Sequence, residues 1–338
     1  MIKTLRLFSN FMSSYTSLVV ILAALIAGFS PITFAWVQQG QRPNVILGII
    51  MLTMGCTLST EDFKILLKRP LDIFIGTLAQ YTVMPFVAYG LSIIFDLNPY
   101  LSAGIILVGC CPGGVSSNIM SFLCRGDVAY SVGMTTVSTL IAPIMTPLMV
   151  LWLAGKEINV DAFGMFQNIC VVTLIPVALG VLFNYFGSKS AKKAEHKETH
   201  WFEATKAILP GISVLCLAFI VGGVIYTVHP RLEENGLSLL LLTLAVVFFH
   251  NGFGYLLGYL IGKLVGFNTA KKRTLSIEIG MQNAGMATVL ANGFFSTPAA
   301  IAANPMAALT VIPCAISCAY HSISGTILAG WFRSRDKK

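Results

Sequence analysis

The chain has 338 residues, of which 56% are apolar and only 11% are charged, and its formal net charge is +8. Soluble domains carry about 25% charged residues, so this composition excludes an ordinary soluble enzyme or binding domain. Nucleic-acid binding is not indicated, because the basic residues form short clusters between apolar runs, as membrane topology requires. The chain is predicted to be an all-α polytopic membrane protein.

The N-terminal apolar run follows Lys3 and Arg6 and resembles a signal peptide. No small-residue cleavage site precedes a soluble domain, so we interpret the run as a retained first membrane helix. The eight cysteines lie in apolar stretches without zinc-site spacing, and we expect them to be small buried side chains.

Ten segments come close to the length of about 20 mostly apolar residues that a membrane span needs. The predicted spans are 15–35, 44–60, 70–95, 101–124, 128–154, 160–187, 207–228, 237–262, 274–296 and 305–332. The second is short, and glycine and polar residues interrupt the fourth and the ninth.

The orientation follows from the basic residues. With the N-terminus inside, all 22 lysines and arginines except Arg42, Lys156 and Arg231 lie on the inner side. Losing one span would destroy this alternation, so the pattern supports both the number of spans and cytoplasmic N- and C-termini.

The spans also divide into two repeats, 1–155 and 156–338, of five spans each. Five is an odd number, so the second repeat would enter the membrane from the opposite side, as in the inverted repeats of secondary transporters. The interrupted spans four and nine then correspond to each other. Paired interruptions of this kind indicate a transport site.

Span four is interrupted at Pro112, Gly113 and Gly114. Proline cannot continue a regular helix, and the two glycines permit close approach of the backbone. The freed backbone groups need other partners at membrane depth. In span eight, glycines recur every four residues from Gly254 to Gly266, which predicts a tight helix–helix contact.

Glu278 in span nine is the one acid in the predicted spans away from their ends. An acid at a helix centre costs about 2.5–3.5 kcal/mol on insertion scales, so a functional role is indicated. An interfacial acid is the alternative, since Arg273 is only five residues away. The residues after Glu278 favour a cation site, because glycine, Gln282 and Asn283 break the apolar run.

Oxygen ligands for a hard cation are available in nearby spans. They are Gln80, Ser117, Asn118, Ser131, Thr135, Thr136 and the carbonyls near Ile279 and Met281. For each serine or threonine alone, a hydrogen bond to its own helix is the alternative. His250 and Asn251 occupy a position in span eight like that of Gln80 in span three; we expect a polar contact there and leave open whether it reaches an ion or substrate.

Two motifs resemble the bile acid:sodium symporter family. They are Glu278-Ile-Gly-Met-Gln-Asn-Ala-Gly and Gly113-Gly114-x-Ser116-Ser117-Asn118, the latter followed by Gly126-Asp127-x-Ala129-x-Ser131. The resemblance covers nearly the whole chain. It implies crossed discontinuous helices 4 and 9, a panel domain (12–62 and 160–228; helices 1, 2, 6 and 7) and a core domain (70–155 and 236–332; helices 3–5 and 8–10).

The resemblance also implies two sodium sites that share Glu278. The first would comprise Ser117, Asn118, Ser131, Thr135 and Glu278, and the second Gln80, Glu278, Gln282 and the carbonyls of Ile279 and Met281. Substrate-facing positions would be Val115, Ser116, Asn283, His321 and Ser322. Val115 and Ser322 depart from the residues that several relatives have, so the identity of the substrate is not implied.

The predicted function is sodium-coupled uptake of a small organic anion (bile-acid-like, pantoate-like or a 2-keto acid) by alternating access, with two sodium ions per monoanion. No organic cofactor, nucleic acid or obligate protein partner is expected, and the resemblance implies a bacterial inner membrane. The alternatives are a channel and an integral-membrane enzyme acting on a lipid or prenyl chain. The enzyme would need paired acids such as Glu61-Asp62.

Overall fold

The computed structural model describes residues 2–59, 61–62, 68–193 and 197–335. Regular structure in these ranges is helical, with one isolated antiparallel bridge between Gly113 and Gln282. The helices are α1 (Ile2–Ser14), α2 (Thr16–Phe29), α3 (Arg42–Thr57), α4 (Pro70–Ile94), α5 (Pro99–Cys110), α6 (Val115–Leu123), α7 (Val128–Ala154), α8 (Ala162–Ile169), α9 (Ile175–Lys193), α10 (Lys197–Leu264), α11 (Thr269–Gly280), α12 (Ala284–Leu290), α13 (Pro298–Ala303) and α14 (Val311–Ser334). Short 3-10 and π segments join them at Pro31–Gln38, Cys170–Leu174, Ala291–Phe295 and Pro305–Thr310.

Six helical segments are long and apolar enough to cross a membrane. They are Pro70–Ile94, Val128–Ala154, Ala162–Ser190, Ala204–Pro230, Gly236–Leu264 and Pro305–Ser334. The prediction of a multi-pass helical membrane protein is therefore confirmed. Shorter apolar helices occupy Arg42–Thr57, Pro99–Cys110 and Ala284–Phe295 and overlap predicted spans two, four and nine. The predicted inner segments include residues 63–67, 194–196 and 336–338, which lie outside the described residues.

The first predicted span, 15–35, differs from the structure. Helix α2 ends at Phe29, and a 3-10 helix follows from Pro31 to Gln38. The physical reason is Pro31: the residue before a proline avoids the α region, and Ser30 has φ −140° and ψ 76°. A second difference is at the N-terminus, where Arg6–Ser14 and Thr16–Phe29 meet at an angle of 80°.

Predicted spans seven and eight correspond to two candidate membrane spans, Ala204–Pro230 and Gly236–Leu264, and the backbone between them is helical. The backbone of α10 is helical from Lys197 to Leu264 and contains both apolar windows. The expected loop around Arg231 does not interrupt it. Arginine, leucine and glutamate, which make up residues 231–234, are all good helix formers, and the net polarity of this stretch does not by itself break a helix.

The chain forms two compact units. Unit 1 contains Met1–Lys64 and Asn168–Tyr226, and unit 2 contains Ile65–Gln167 and Thr227–Lys338. Unit 2 holds Glu278 and all the residues predicted to bind sodium or substrate.

Helix α11 is buried in unit 2 from Arg273 to Gly280. Leu275 and Ile279, one turn apart, pack with Met84 of α4 and Tyr130 of α7. On another face, Ile277 and Met281 pack with Met120, Cys124 and Phe332, which belong to the α6 region and α14. A helix that is apolar on several faces must be enclosed by protein or lipid. Glu278 lies between these two clusters and is therefore held deep inside the unit.

The glycine face of α10 packs on α11, as the four-residue spacing predicted. A Cβ atom at Gly258 would lie 2.8 Å from the Leu275 carbonyl oxygen and 3.0 Å from the Cα of Ser276. A Cβ atom at Gly254 would lie 2.9 Å from the Cα of Gly280. Side chains at these positions would separate the two backbones, so the glycines set the distance between α10 and the segment that carries Glu278.

Candidate functional site

Two breaks in the helices lie against each other. The first separates α5 from α6 at residues 111–114, and the second separates α11 from α12 at residues 281–283. The backbone N–H of Gly114 donates to the Met281 carbonyl (2.8 Å), and the N–H of Asn283 donates to the Pro112 carbonyl (2.8 Å). Each break therefore satisfies backbone groups that the other leaves free, as buried backbone requires.

The two glycines of the first break make this approach possible. A Cβ atom at Gly114 would lie 2.8 Å from the carbonyl oxygen of Gln282. A Cβ atom at Gly113 would lie 3.0 Å from Oε2 of Glu278 and 3.6 Å from Oγ1 of Thr135. Any side chain at these positions would push against the opposite backbone or against the buried carboxylate.

The carboxylate of Glu278 lies at the centre of a cluster of hydroxyl groups. Ser117 Oγ donates to its Oε1 at 2.5 Å, and Ser131 Oγ donates to the same oxygen. Thr135 Oγ1 donates to Oε2 at 2.9 Å. Glu278 is only 1% exposed, so its carboxylate is enclosed by protein and does not face open solvent.

The hydroxyl groups have more acceptors than they have protons. Ser117 Oγ is also 2.6 Å from the Gly114 carbonyl, Ser131 Oγ is 2.8 Å from Asn118 Oδ1, and Thr135 Oγ1 is 3.0 Å from the Ser131 carbonyl. A hydroxyl has one proton, whereas each of these three faces two acceptor oxygens. Such a set of crowded oxygens is suited to a hard cation, because the cation supplies the positive charge that the protons cannot.

The structure thus brings together all five residues predicted for the first sodium site. They come from three elements: α6 (Ser117 and Asn118), α7 (Ser131 and Thr135) and α11 (Glu278). Thr136, which the sequence also offers as an oxygen ligand for a cation, is not part of this cluster. Its Oγ1 donates to the Val132 carbonyl of its own helix at 2.7 Å.

The residues of the predicted second site lie along both breaks. Gln80 Nε2 donates to the Cys111 carbonyl at 3.3 Å, and Gln282 Nε2 donates to the Ile279 carbonyl. The amide oxygens of Gln80 and Gln282 are buried and have no hydrogen-bond partner among the described residues. The described hydrogen bonds do not join either amide to Glu278. The Ile279 and Met281 carbonyls each accept one hydrogen bond and retain a second lone pair.

The predicted substrate positions are more dispersed. Val115 and Ser116 are partly exposed in the first turn of α6. Asn283 caps α12 by accepting from the N–H of Met286 at 3.0 Å. His321 Nδ1 lies 3.2 Å from the Gln282 carbonyl oxygen, so α14 brings it to the second break. Ser322 is buried, and its carbonyl accepts from Thr326 within the same helix.

Sequence reasoning missed two contacts that support the breaks. Ser138 Oγ accepts from the N–H of Gly113 at 3.2 Å, and the helical period that joins Ser131 and Thr135 could have indicated it. Asn251 Nδ2 donates to the Gly280 carbonyl, whereas His250 Nε2 lies 3.1 Å from the Met84 carbonyl oxygen. The sequence left open what His250 and Asn251 contact; of the two, Asn251 is the residue that bonds next to the second break.

Three consecutive carbonyls, at the end of α11 and in the second break, are held by three different elements. Gly280 is held by Asn251 of α10, Met281 by the Gly114 N–H of the first break, and Gln282 by His321 of α14. The unwound backbone next to Glu278 is therefore a defined conformation. In the pair Glu61-Asp62, Asp62 accepts from the N–H and the hydroxyl of Ser59. No group of three metal-ligating side chains of the His/Cys/Asp/Glu type occurs in the described part of the chain.

The chain is similar in sequence to proteins described as sodium-dependent transporters. The model of the sodium bile acid symporter family matches residues 44–233. The chain is 37% identical over 334 residues to the uncharacterized sodium-dependent transporter YocS of Bacillus subtilis, covering 99% of this chain and 95% of that protein. It is 39% identical over 323 residues to the probable sodium/metabolite cotransporter BASS1, chloroplastic, of Arabidopsis thaliana, covering 94% and 73%. It is 34% identical over 316 residues to the corresponding BASS2 of Oryza sativa subsp. japonica, covering 94% and 69%.

Proposed function

The chain belongs to the sodium bile acid symporter family, and from this membership we propose that it takes up a small organic anion together with two sodium ions. It is a sodium-dependent membrane transporter of the sodium/metabolite cotransporter type and not an enzyme. The observation that carries the proposal is the buried carboxylate of Glu278, surrounded by the hydroxyls of Ser117, Ser131 and Thr135.

We assign the first sodium ion to Ser117, Asn118, Ser131, Thr135 and Glu278. The second would bind near Gln80, Glu278, Gln282 and the carbonyls of Ile279 and Met281. The support for the second is the pair of buried, unpartnered amide oxygens of Gln80 and Gln282. A buried polar oxygen without a partner costs free energy, and a cation would recover that cost.

The charges explain why sodium and the anion would move together. Glu278 contributes one negative charge, two sodium ions contribute two positive charges, and a monoanionic substrate makes the loaded site neutral. Without sodium, the anion would meet a like charge in a medium of low dielectric constant, where repulsion is strong. Sodium binding therefore creates the site for the anion.

The same stoichiometry defines the driving force. Two sodium ions and one monoanion move one net charge, for which the membrane potential supplies about 2.3 kcal/mol per 100 mV. A tenfold sodium gradient adds about 1.4 kcal/mol per ion. A membrane potential of about 100 mV and a tenfold gradient of sodium, acting on two ions, would together supply about 5 kcal/mol. This is enough to concentrate the anion by more than a thousandfold.

We propose alternating access through an inverted repeat of two five-span halves, with both termini cytoplasmic. The support is that the breaks at 111–114 and 281–283 occupy corresponding places in repeats 1–155 and 156–338. Units 1 and 2 would be the panel and core domains, respectively. The distribution of lysine and arginine supports the orientation.

The proposed substrate is a bile-acid-like, pantoate-like or 2-keto acid. Val115, Ser116, Asn283, His321 and Ser322 are the proposed contacts. The first turn of α6 begins at Val115, and the N-terminus of a helix favours a bound anion. A thermal-shift screen of organic acids, run with and without sodium, would identify the lead as a compound that stabilises the protein only with sodium.

Uptake by the purified protein in liposomes tests the coupling. Replacing external sodium by potassium should reduce uptake of the lead acid to the level of protein-free liposomes. Undiminished uptake in potassium would overturn the proposal. Uptake that fails to saturate with substrate concentration would favour a channel instead.

A further inference from the structure

We propose that unit 1 carries a binding site for the headgroup of an anionic phospholipid, formed where α1 packs on α10. An open pocket of about 360 Å³ is lined there by Arg6 and Asn10 of α1 and by Lys206 and Ala207 of α10. These residues are far in sequence from Glu278 and belong to a different unit. The proposal does not depend on sodium coupling.

One face of α1 attaches the helix to α10. Ser9 is 1% exposed, and Met12 beside it is also buried. Ser9 Oγ donates to the Ile208 carbonyl at 3.2 Å and accepts from the N–H of Gly211 at 3.0 Å. A Cβ atom at Gly211 would lie 2.8 Å from the Cα of Ser9, so the helices are in close contact. The pocket beside this contact is therefore a defined feature of the unit.

A second face of α1 is apolar and faces outward. Leu7, Phe8 and Phe11 are 62%, 50% and 54% exposed, and the rings of Phe11 and Tyr15 lie 4.9 Å apart. The helix turns by 80° from the apolar helix α2. A helix that leaves a spanning direction and carries exposed aromatic side chains has the properties of an interfacial helix, whose apolar face lies at the boundary of the acyl chains.

The third face of α1 carries the charge. Arg6 and Asn10 are one helical turn apart and therefore neighbours on the surface, and Lys206 adds a second cation from α10. No carboxylate is among the described residues that line the pocket. A guanidinium binds a phosphate through two parallel hydrogen bonds, and an ammonium adds a point charge. The pocket thus matches a phosphodiester with a net negative charge.

The charged face and the apolar face of α1 together favour a lipid over a free anion as the ligand. The phosphate would lie between Arg6 and Lys206, and the acyl chains would lie along Phe8 and Phe11. The predicted topology places Arg6 and Lys206 on the inner side of the membrane, where basic residues next to the bilayer attract anionic lipids. A soluble phosphate would use only the charged face and would leave the apolar one without a partner.

Lipid titration of the purified full-length protein by native mass spectrometry tests the proposal. Phosphatidylglycerol should bind more tightly than phosphatidylcholine. Removing one cation, by Arg6→Gln or Lys206→Gln, should weaken phosphatidylglycerol binding about fivefold, and removing both should weaken it by about 25-fold. Arg6→Lys should bind phosphatidylglycerol more tightly than Arg6→Gln but less tightly than the wild type, because it keeps the charge and loses the two parallel hydrogen bonds of the guanidinium.

Lys189→Gln is the matched control. Lys189 is an exposed cation of the same unit, outside the pocket, so its loss should leave phosphatidylglycerol binding unchanged. The thermal unfolding midpoint of each variant verifies that it is folded. Wild-type affinity in the double variant would overturn the site. Competition by glycerol phosphate at concentrations similar to those of the lipid would overturn the lipid as its ligand.

Discussion

Ser117 Oγ donates to Glu278 Oε1 at 2.5 Å, although 161 residues separate the two in the chain. Ser117 lies in the helix that follows the first break, and Glu278 lies in the last turn before the second. A cation bound between them would contact both broken segments at once. Sodium binding at this place can therefore change the relative stability of arrangements of the two breaks, which is what coupling requires.

Glu278→Gln tests the charge of the site with little change in side-chain size. We expect the sodium concentration for half-maximal uptake to rise at least tenfold, because hydrogen bonds to a charged group contribute about 1.5–3 kcal/mol. Uptake into liposomes at increasing sodium concentration measures this. Glu157→Gln, at an exposed acid in unit 2, should behave like the wild type. Normal sodium dependence in Glu278→Gln would remove Glu278 from the site.

Thr135→Val and Thr136→Val form a matched pair of neighbouring substitutions. Thr135 Oγ1 is 2.9 Å from Glu278 Oε2, whereas Thr136 Oγ1 donates only to its own helix. We expect Thr135→Val to raise the sodium concentration for half-maximal uptake about fivefold, as the loss of about 1 kcal/mol implies. Thr136→Val should leave it unchanged. Equal effects of the two substitutions would contradict the assignment.

Gly114→Ala tests the close approach of the two breaks. The new Cβ atom would lie 2.8 Å from the Gln282 carbonyl oxygen, and overpacking of this kind costs about 1–3 kcal/mol. The thermal unfolding midpoint should fall. Gly90→Ala is the control, because a Cβ atom at Gly90 in α4 meets nothing within 4 Å and alanine is the better helix former. The interpretation fails if Gly114→Ala is as stable as Gly90→Ala.

Asn251→Leu removes the donor that holds the Gly280 carbonyl. A buried carbonyl left without its partner costs about 1–3 kcal/mol, so the unfolding midpoint should fall. If Asn251 positions the break for sodium, the stabilisation that sodium provides should also decrease. Thermal shifts measured in sodium and in potassium separate these effects. A midpoint lowered equally in both salts would show that Asn251 has a structural role only.

Glu278 and the two breaks could be indicated from the sequence because polar and helix-breaking residues in apolar spans are expensive, whereas the predicted ligand sets came from the family resemblance. Glu278 was indicated by its isolation among apolar residues, and Pro112 with two glycines located the first break. The hydrogen-bond partners were less predictable. Asn251 and His250 are adjacent in the sequence, and only the packing of α10 on α11 shows that Asn251 faces the Gly280 carbonyl.

Some boundaries of the predicted spans differ from those of the helices in the structure. The sequence predicted one helix over 15–35, but the structure ends α2 at Phe29 and bends the chain before it. It predicted a loop between spans seven and eight, but α10 is continuous there. Hydropathy measures the cost of leaving water, and it contains little information on where a backbone turns.

The amino-acid sequence by itself determined that this is a multi-pass helical membrane protein in which Glu278 lies within an apolar segment and two apolar segments are interrupted. These properties follow from local composition, since each residue contributes to the cost of burial wherever it lies. The family resemblance implied that Ser117, Ser131 and Thr135 would lie near Glu278, but only the tertiary structure shows their hydrogen bonds to its carboxylate. It alone also shows that the two breaks hold each other through Gly114 and Asn283. Such contacts join residues far apart in the chain, so they depend on how whole helices pack and not on any local pattern.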